Sequence, residues 1–108
     1  MNCRNQQDTG VQRGGGYAEV MIAKSSVLMS VPEELSTVAA APLLCAGLTT
    51  FSALRNSSAR PSDLVAVIGT GGLGHLGVQY TRHFGYEVVA VDRGDDRADL
   101  AKRLGAHQ

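Results

Sequence analysis

The sequence predicts an α/β chain built around a parallel sheet, and three observations carry that prediction. Leu64-Val65-Ala66-Val67-Ile68 is a short apolar run that reads as a strand. It leads directly into Gly69-Thr70-Gly71-Gly72-Leu73-Gly74, and an amphipathic helical pattern starts at the last glycines. A second apolar run, Val88-Val89-Ala90-Val91, ends on Asp92. Strand, glycine turn, helix, strand and acid in this order form the dinucleotide-binding fingerprint of a doubly wound, Rossmann-type sheet.

Composition sets the bounds. The chain has 108 residues, enough for one domain, with 44% hydrophobic and 19% charged residues. Its formal net charge is zero, which gives no support for nucleic-acid or anionic-membrane binding. No apolar run is expected to approach the roughly 20 residues of a bilayer span, and Met1-Asn2-Cys3-Arg4-Asn5-Gln6-Gln7 lacks a signal-peptide core. The expected compartment is the cytoplasm. Two cysteines, Cys3 and Cys45, are too few for a disulfide scaffold. A full doubly wound domain needs about six strands, and residues 63–108 supply two, so the expectation is a fragment of a longer protein. An isolated two-stranded sheet is marginal.

Along the chain, residues 1–16 are polar and glycine-rich and read as a loop. Tyr17-Ala18-Glu19-Val20-Met21-Ile22 alternates as a short strand would, and Pro32 closes that region. Ser36 is an N-cap for Thr37–Ala41, which Pro42 is expected to interrupt. A second helix is expected over Leu43–Arg55, with Leu44, Leu48, Phe51 and Leu54 on its apolar face. Pro61-Ser62-Asp63 is a turn signal. The helix after the glycines is expected from Gly72 to Phe84, burying Leu73, Leu76, Tyr80 and Phe84 and ending on Gly85 as C′. Gly77 is explained by close packing on the sheet. A last helix from Asp95 or Asp96 to about Leu104 has acids early, bases late and Gly105 beyond.

Each glycine of the turn has its own task. Gly69 permits the tight turn, Gly71 lets backbone approach a pyrophosphate, and Gly74 lets the helix pack closely. Backbone N–H groups from Gly71 to Gly74, Gly72 and Leu73 included, point at the phosphates at the positive helix end. Asp92 is placed to accept from both ribose hydroxyls, and its charge disfavours a 2′-phosphate, hence NAD. Arg93 leaves NADP open. Arg97 is a second candidate at the ribose, or simply a solvated helix arginine. His75 and His83 read as ordinary helix positions, with no ligand-spaced partner. Cys45, on its residues alone, is a small buried hydrophobe.

These segments together resemble the zinc-dependent alcohol dehydrogenases of the medium-chain dehydrogenase/reductase superfamily, nearest to the microbial tetrameric type. The resemblance is carried by Gly15-Gly16-Tyr17-Ala18-Glu19, by Ala41-Pro42-Leu43-Leu44-Cys45-Ala46-Gly47-Leu48-Thr49-Thr50, and by Arg60-Pro61-Ser62-Asp63-Leu64-Val65-Ala66-Val67 with the glycine turn. It implies residues 1–35 as the end of a GroES-like β catalytic domain, 36–62 as connecting helices and 63–108 as the first βαβ of an NAD-binding domain. It implies Cys45 as a ligand of the catalytic zinc, in a Cys₂His set whose other members lie upstream, and Thr49 as a nicotinamide contact. Thr49 read alone is equally a helix threonine bonded to its own backbone. Cys3 falls where a structural-zinc cysteine would lie. Ser62 stands where the family often has glycine, which implies local strain.

The activity implied is NAD- and zinc-dependent interconversion of alcohols with aldehydes or ketones by a homo-oligomeric, tetrameric parent. The 108 residues alone are expected to hold no catalytic zinc and to be inactive, since one thiolate cannot build a tetrahedral site. Two alternatives stand beside this: a zinc-free quinone or enoyl reductase of the same superfamily, and a truncated, non-catalytic nucleotide-binding remnant.

Overall fold

The computed structural model describes residues 4–107 and divides the chain into two compact units, residues 1–32 and 33–108. Cys3 lies outside the described residues.

In the first unit the expected strand over Tyr17–Ile22 does not form. The unit is held by turns: Gly10 N–H donates to Arg13 O at 2.8 Å, Thr9 bridges Arg13, and Ser25–Val27 makes one 3₁₀ turn. A strand is stable only when its backbone groups pair with neighbours. Among the described residues of this unit no neighbouring strand is present, and Tyr17, Val20 and Ile22 are exposed.

The second unit begins with Ser36, whose Oγ accepts from Ala39 N–H and caps helix α1 (Thr37–Pro42). Pro42 does not end the helix as expected. A π-helical turn, Leu43–Gly47, follows it directly and continues into α2 (Leu48–Arg55). Proline removes one donor and crowds the carbonyl four residues back, here that of Val38 in the first turn of α1, so the residues after Pro42 keep their own donors and remain helical. The Thr50 hydroxyl donates to the carbonyls of Ala46 (2.8 Å) and Gly47 (3.0 Å), covering acceptors of that turn. The continuous helix Thr37–Arg55 has 19 residues, and an 18-residue stretch of it has mean hydropathy 1.6, long and apolar enough to cross a bilayer by those two measures alone.

Its inward face is Ala40, Leu43, Gly47, Phe51 and Leu54, whereas Leu44 and Leu48, expected inside with Phe51 and Leu54, are exposed. Gly47 is buried, and a Cβ there would lie 3.1 Å from Tyr80 Oη and 3.2 Å from Leu43 Cβ. That close approach lets Phe51 meet Tyr80 edge-on at 6.0 Å and Phe84 at 5.5 Å between ring centroids.

Strands β1 (Leu64–Ile68) and β2 (Glu87–Val91) pair in parallel, Leu64 with Glu87 through Ile68 with Val91. Helix α3 (Gly74–His83) makes the crossover. It covers the sheet face carrying Val65, Val67, Val88 and Ala90, with Gly77, Val78 and Thr81 buried. Val78 and Val88 are fully buried, each contributing roughly 2 kcal/mol. The expected stripe of Leu73, Leu76, Tyr80 and Phe84 is therefore displaced. Leu73 is exposed just before the helix, and the other three are half-buried. Of the buried positions on α3, Gly77, Val78 and Thr81, apolar periodicity counts only the valine. Gly77 packs on the sheet as expected, its missing Cβ facing Val67 at 3.6 Å. The opposite sheet face, with Leu64, Ala66, Ile68 and Val91, is exposed.

Helix α4 (Asp95–Arg103) packs on β2 and α3 through Ala101. Both α3 and α4 end in a Schellman motif. Gly85 (φ +83°) donates to Arg82 O and Tyr86 to Thr81 O; Gly105 (φ +107°) donates to Lys102 O and Ala106 to Ala101 O.

Candidate functional site

The corner between β1, α3 and β2 concentrates unusual backbone. Gly69 leaves β1 with φ +83°, and its N–H donates to Val91 O at 2.8 Å. Gly74 opens α3 against that turn, and a Cβ on it would sit 1.6 Å from Gly69 O. No side chain fits there. Gly69, Gly71 and Gly72 face open space instead, with nothing within 4 Å of a Cβ position. The turn thus has a closed side, sealed by Gly74, and an open side where backbone N–H groups at the start of a helix are bare to an anion. Leu73 is exposed on that side. His75 Nδ1 bonds Gly71 O at 2.8 Å; because a carbonyl only accepts, this nitrogen carries the proton. His75 therefore braces the turn, a role that ligand spacing does not reveal.

Asp92 closes the corner from β2. Its Oδ2 accepts from the Thr70 hydroxyl and from Thr70 N–H at 2.6 Å, and its Oδ1 accepts from Arg93 N–H at 2.7 Å. The Thr70 hydroxyl, then the two N–H groups, with a smaller contribution from Arg97, hold its carboxyl below the ordinary carboxylate value, at about 2. Asp92 is therefore ionised at neutral pH. Because its folded value is depressed, its stabilisation of the corner is complete above the ordinary carboxyl range and disappears as pH falls through about 2. Arg97 reaches the corner: its Nη1 lies 3.5 Å from Thr70 O. Arg93 places its backbone N–H on Asp92, and its side chain is exposed. Thr70 itself, fully buried, is a site residue that the glycine spacing passes over.

The second candidate region is the π turn and α2. Cys45 is a free, exposed thiol in the turn, and Thr49 is exposed on α2. Among the described residues no three His, Cys, Asp or Glu side chains converge as a metal site. A tetrahedral zinc takes four donors, of which these residues offer Cys45 alone. The glycine corner, by contrast, fits a dinucleotide: an open anion cradle sits beside a fixed carboxylate.

Comparison with known proteins agrees with this geometry. Residues 72–108 match the family model of the zinc-binding dehydrogenases. An alcohol dehydrogenase of Geobacillus stearothermophilus is 48% identical over 96% of this chain and 31% of its own length. The acetophenone reductase of Geotrichum candidum, solved in complex with NAD, superposes with a TM-score of 0.86 at 30% identity, over 97% of this chain and 31% of that one. The quinone oxidoreductase of Thermus thermophilus, solved also with NADPH, gives 0.80 at 34% identity, over 88% and 32%. The chain spans about a third of the length of the curated relatives it matches. By the glycine corner and by these matches, the chain is similar to about a third of an alcohol dehydrogenase of the medium-chain dehydrogenase/reductase superfamily, with the zinc-binding dehydrogenase match confined to residues 72–108.

Proposed function

We propose that this chain is the nucleotide-binding part of an NAD-dependent alcohol dehydrogenase, which interconverts alcohols with aldehydes or ketones. The observation that carries the reading is the ionised Asp92, fixed beside the open side of Gly69–Gly74. Gly69, Gly71, Gly72, Leu73 and Gly74 offer backbone to the pyrophosphate, with Gly74 holding the turn against α3. Asp92 offers a carboxylate to the adenosine ribose, and Arg97 adds a cation at the edge of the corner. When bound, the nicotinamide gives or takes a hydride. The chain's own residues bind and orient the dinucleotide and repel a 2′-phosphate.

Thr49 as a nicotinamide contact and Cys45 as one zinc ligand belong to the proposal for the longer protein, as do Cys3 at a structural zinc, residues 1–35 as the end of a catalytic domain, a tetramer and a cytoplasmic location. The 108 residues alone are proposed to lack turnover, because Cys45 has no companion donors among those described. A zinc-free reductase is the second reading, favoured by the likeness to a quinone oxidoreductase. Activity of the longer protein that survives Cys45→Ala would select it.

Calorimetric titration of the full chain with NAD and NADP tests the main reading. NAD is expected to bind at least about tenfold more tightly, the factor carried by about 1.4 kcal/mol of charge repulsion. Equal affinities, or preference for NADP, would remove Asp92 from its assigned task and move the weight to Arg93 and Arg97.

A further inference from the structure

Asp92 has less to offer a ribose than its position just after β2 implies. A carboxylate has about four lone-pair sites in its plane, two on each oxygen. Both sites of Oδ2 are filled from one residue, by the hydroxyl and the N–H of Thr70. One site of Oδ1 is filled by Arg93 N–H. A single in-plane site, on Oδ1, stays open. Thr70 cannot itself touch a ligand, since it is fully buried. It can only act through Asp92.

We propose that Thr70 is a specificity-determining positioning residue: it ties the Asp92 carboxylate to the glycine turn, so that Oδ1 alone meets one hydroxyl of the adenosine ribose. The sequence-based expectation is that Asp92 accepts from both hydroxyls; this proposal assigns it one. This rests on the dinucleotide reading above and deepens it.

Three features support the assignment. The Thr70 hydroxyl spends its only proton on the carboxylate and so sets the plane of that group. The bonds are charge-assisted, the stronger class. The lowered pKa of Asp92 has this hydroxyl as its largest cause. Arg97 on α4, whose Nη1 lies near Thr70 O, and Arg93 on the following turn are the cations at the corner. Neither is altered by changing the hydroxyl. A carboxylate free to rotate would still be negative, but it would no longer present one fixed oxygen.

The test uses the full chain and two measurements. In the first, NAD and its analogues lacking either the 2′- or the 3′-hydroxyl of the adenosine ribose are titrated into the unmodified chain. Loss of one hydroxyl is expected to weaken binding about tenfold and loss of the other less than about twofold. Equal losses would mean bidentate recognition and would overturn the proposal. In the second, Thr70→Val removes the hydroxyl and keeps the branched shape, while Thr70→Ser keeps the hydroxyl. Thr70→Val is expected to weaken NAD about tenfold and NADP less than about twofold. The Asp92 carboxyl, followed by carbon NMR without nucleotide, is expected to titrate at higher pH. Thr70→Ser is expected to restore both properties. Equal weakening of NAD and NADP, or an unmoved Asp92 titration, would reduce Thr70 to a packing residue. If the unmodified chain binds neither nucleotide although Asp92 titrates low, the dinucleotide reading falls and this role falls with it. If NAD binds but ignores Thr70→Val, only the role of Thr70 falls.

Discussion

The glycine corner and the Cys45 helix lie in the same compact unit, yet one is whole and the other is not. The corner needs a strand end, a helix start and the next strand end, all within residues 64–92. Its working groups are largely backbone; His75 and Asp92 bond to that same backbone, and the Thr70 hydroxyl bonds to Asp92. In the proposed longer protein the Cys45 region would contribute side chains to a site whose other members come from elsewhere, and here those side chains stand exposed. A site made of local backbone is complete in a short stretch of chain. A site made of convergent side chains exists only when all its segments are present.

The strongest way to break this contrast is at Gly74. Gly74→Ala puts a carbon 1.6 Å from Gly69 O, an overlap no rotamer relieves. Thermal unfolding is expected to show a loss of about 3 kcal/mol or more, and NAD binding is expected to vanish with it. An alanine variant that binds NAD normally would mean the turn is not closed as described.

A smaller effect, of opposite sign, is expected at Ser62. Asp63 N–H donates to Arg60 O at 2.9 Å with Pro61 and Ser62 between, and Ser62 has φ +75°. This is the pattern of a type II turn, whose third residue favours glycine. Ser62→Gly is expected to stabilise the unit by about 1 kcal/mol in denaturant unfolding, without changing NAD affinity. A destabilised variant would show that the serine side chain contributes more than its backbone strain costs.

The smallest effect is expected at Cys45. Cys45→Ser in this chain is expected to leave both melting and NAD affinity within about 0.5 kcal/mol of the parent, as for an exposed side chain without partners. A larger loss would tie the two regions together and blur the contrast between them.

The sequence made the corner legible because its constraints are local. Gly69, Gly71 and Gly74 at fixed spacing, an apolar run before them and an acid closing the next run leave few arrangements open. The last helix was legible for a similar reason, with acids, bases and Gly105 marking its ends. What escaped depended on contacts between elements. Gly47, where α2 meets Tyr80 of α3, and Thr81 are buried, and hydrophobic periodicity counts neither. The passage of the helix through Pro42 hid in a π turn, and the strand at Tyr17–Ile22 failed for want of a neighbour. Leu44 and Leu48 have the right spacing for a core, and the described residues do not cover them.

The two glycine-ended helices carry one more consequence. After Gly85 the chain turns into β2; after Gly105 it makes the same turn, and His107 arrives at the outer edge of β2. There His107 N–H donates to Val88 O at 2.8 Å, and Val88 N–H donates to His107 Nδ1 at 3.0 Å. Strand backbone groups alternate in direction, so Ala90 presents its N–H and C=O to the same side as Val88. Gly105 and His107 thus carry the chain from the end of one helix directly onto the free edge of the strand before it, where Ala90 holds the neighbouring pair of backbone groups.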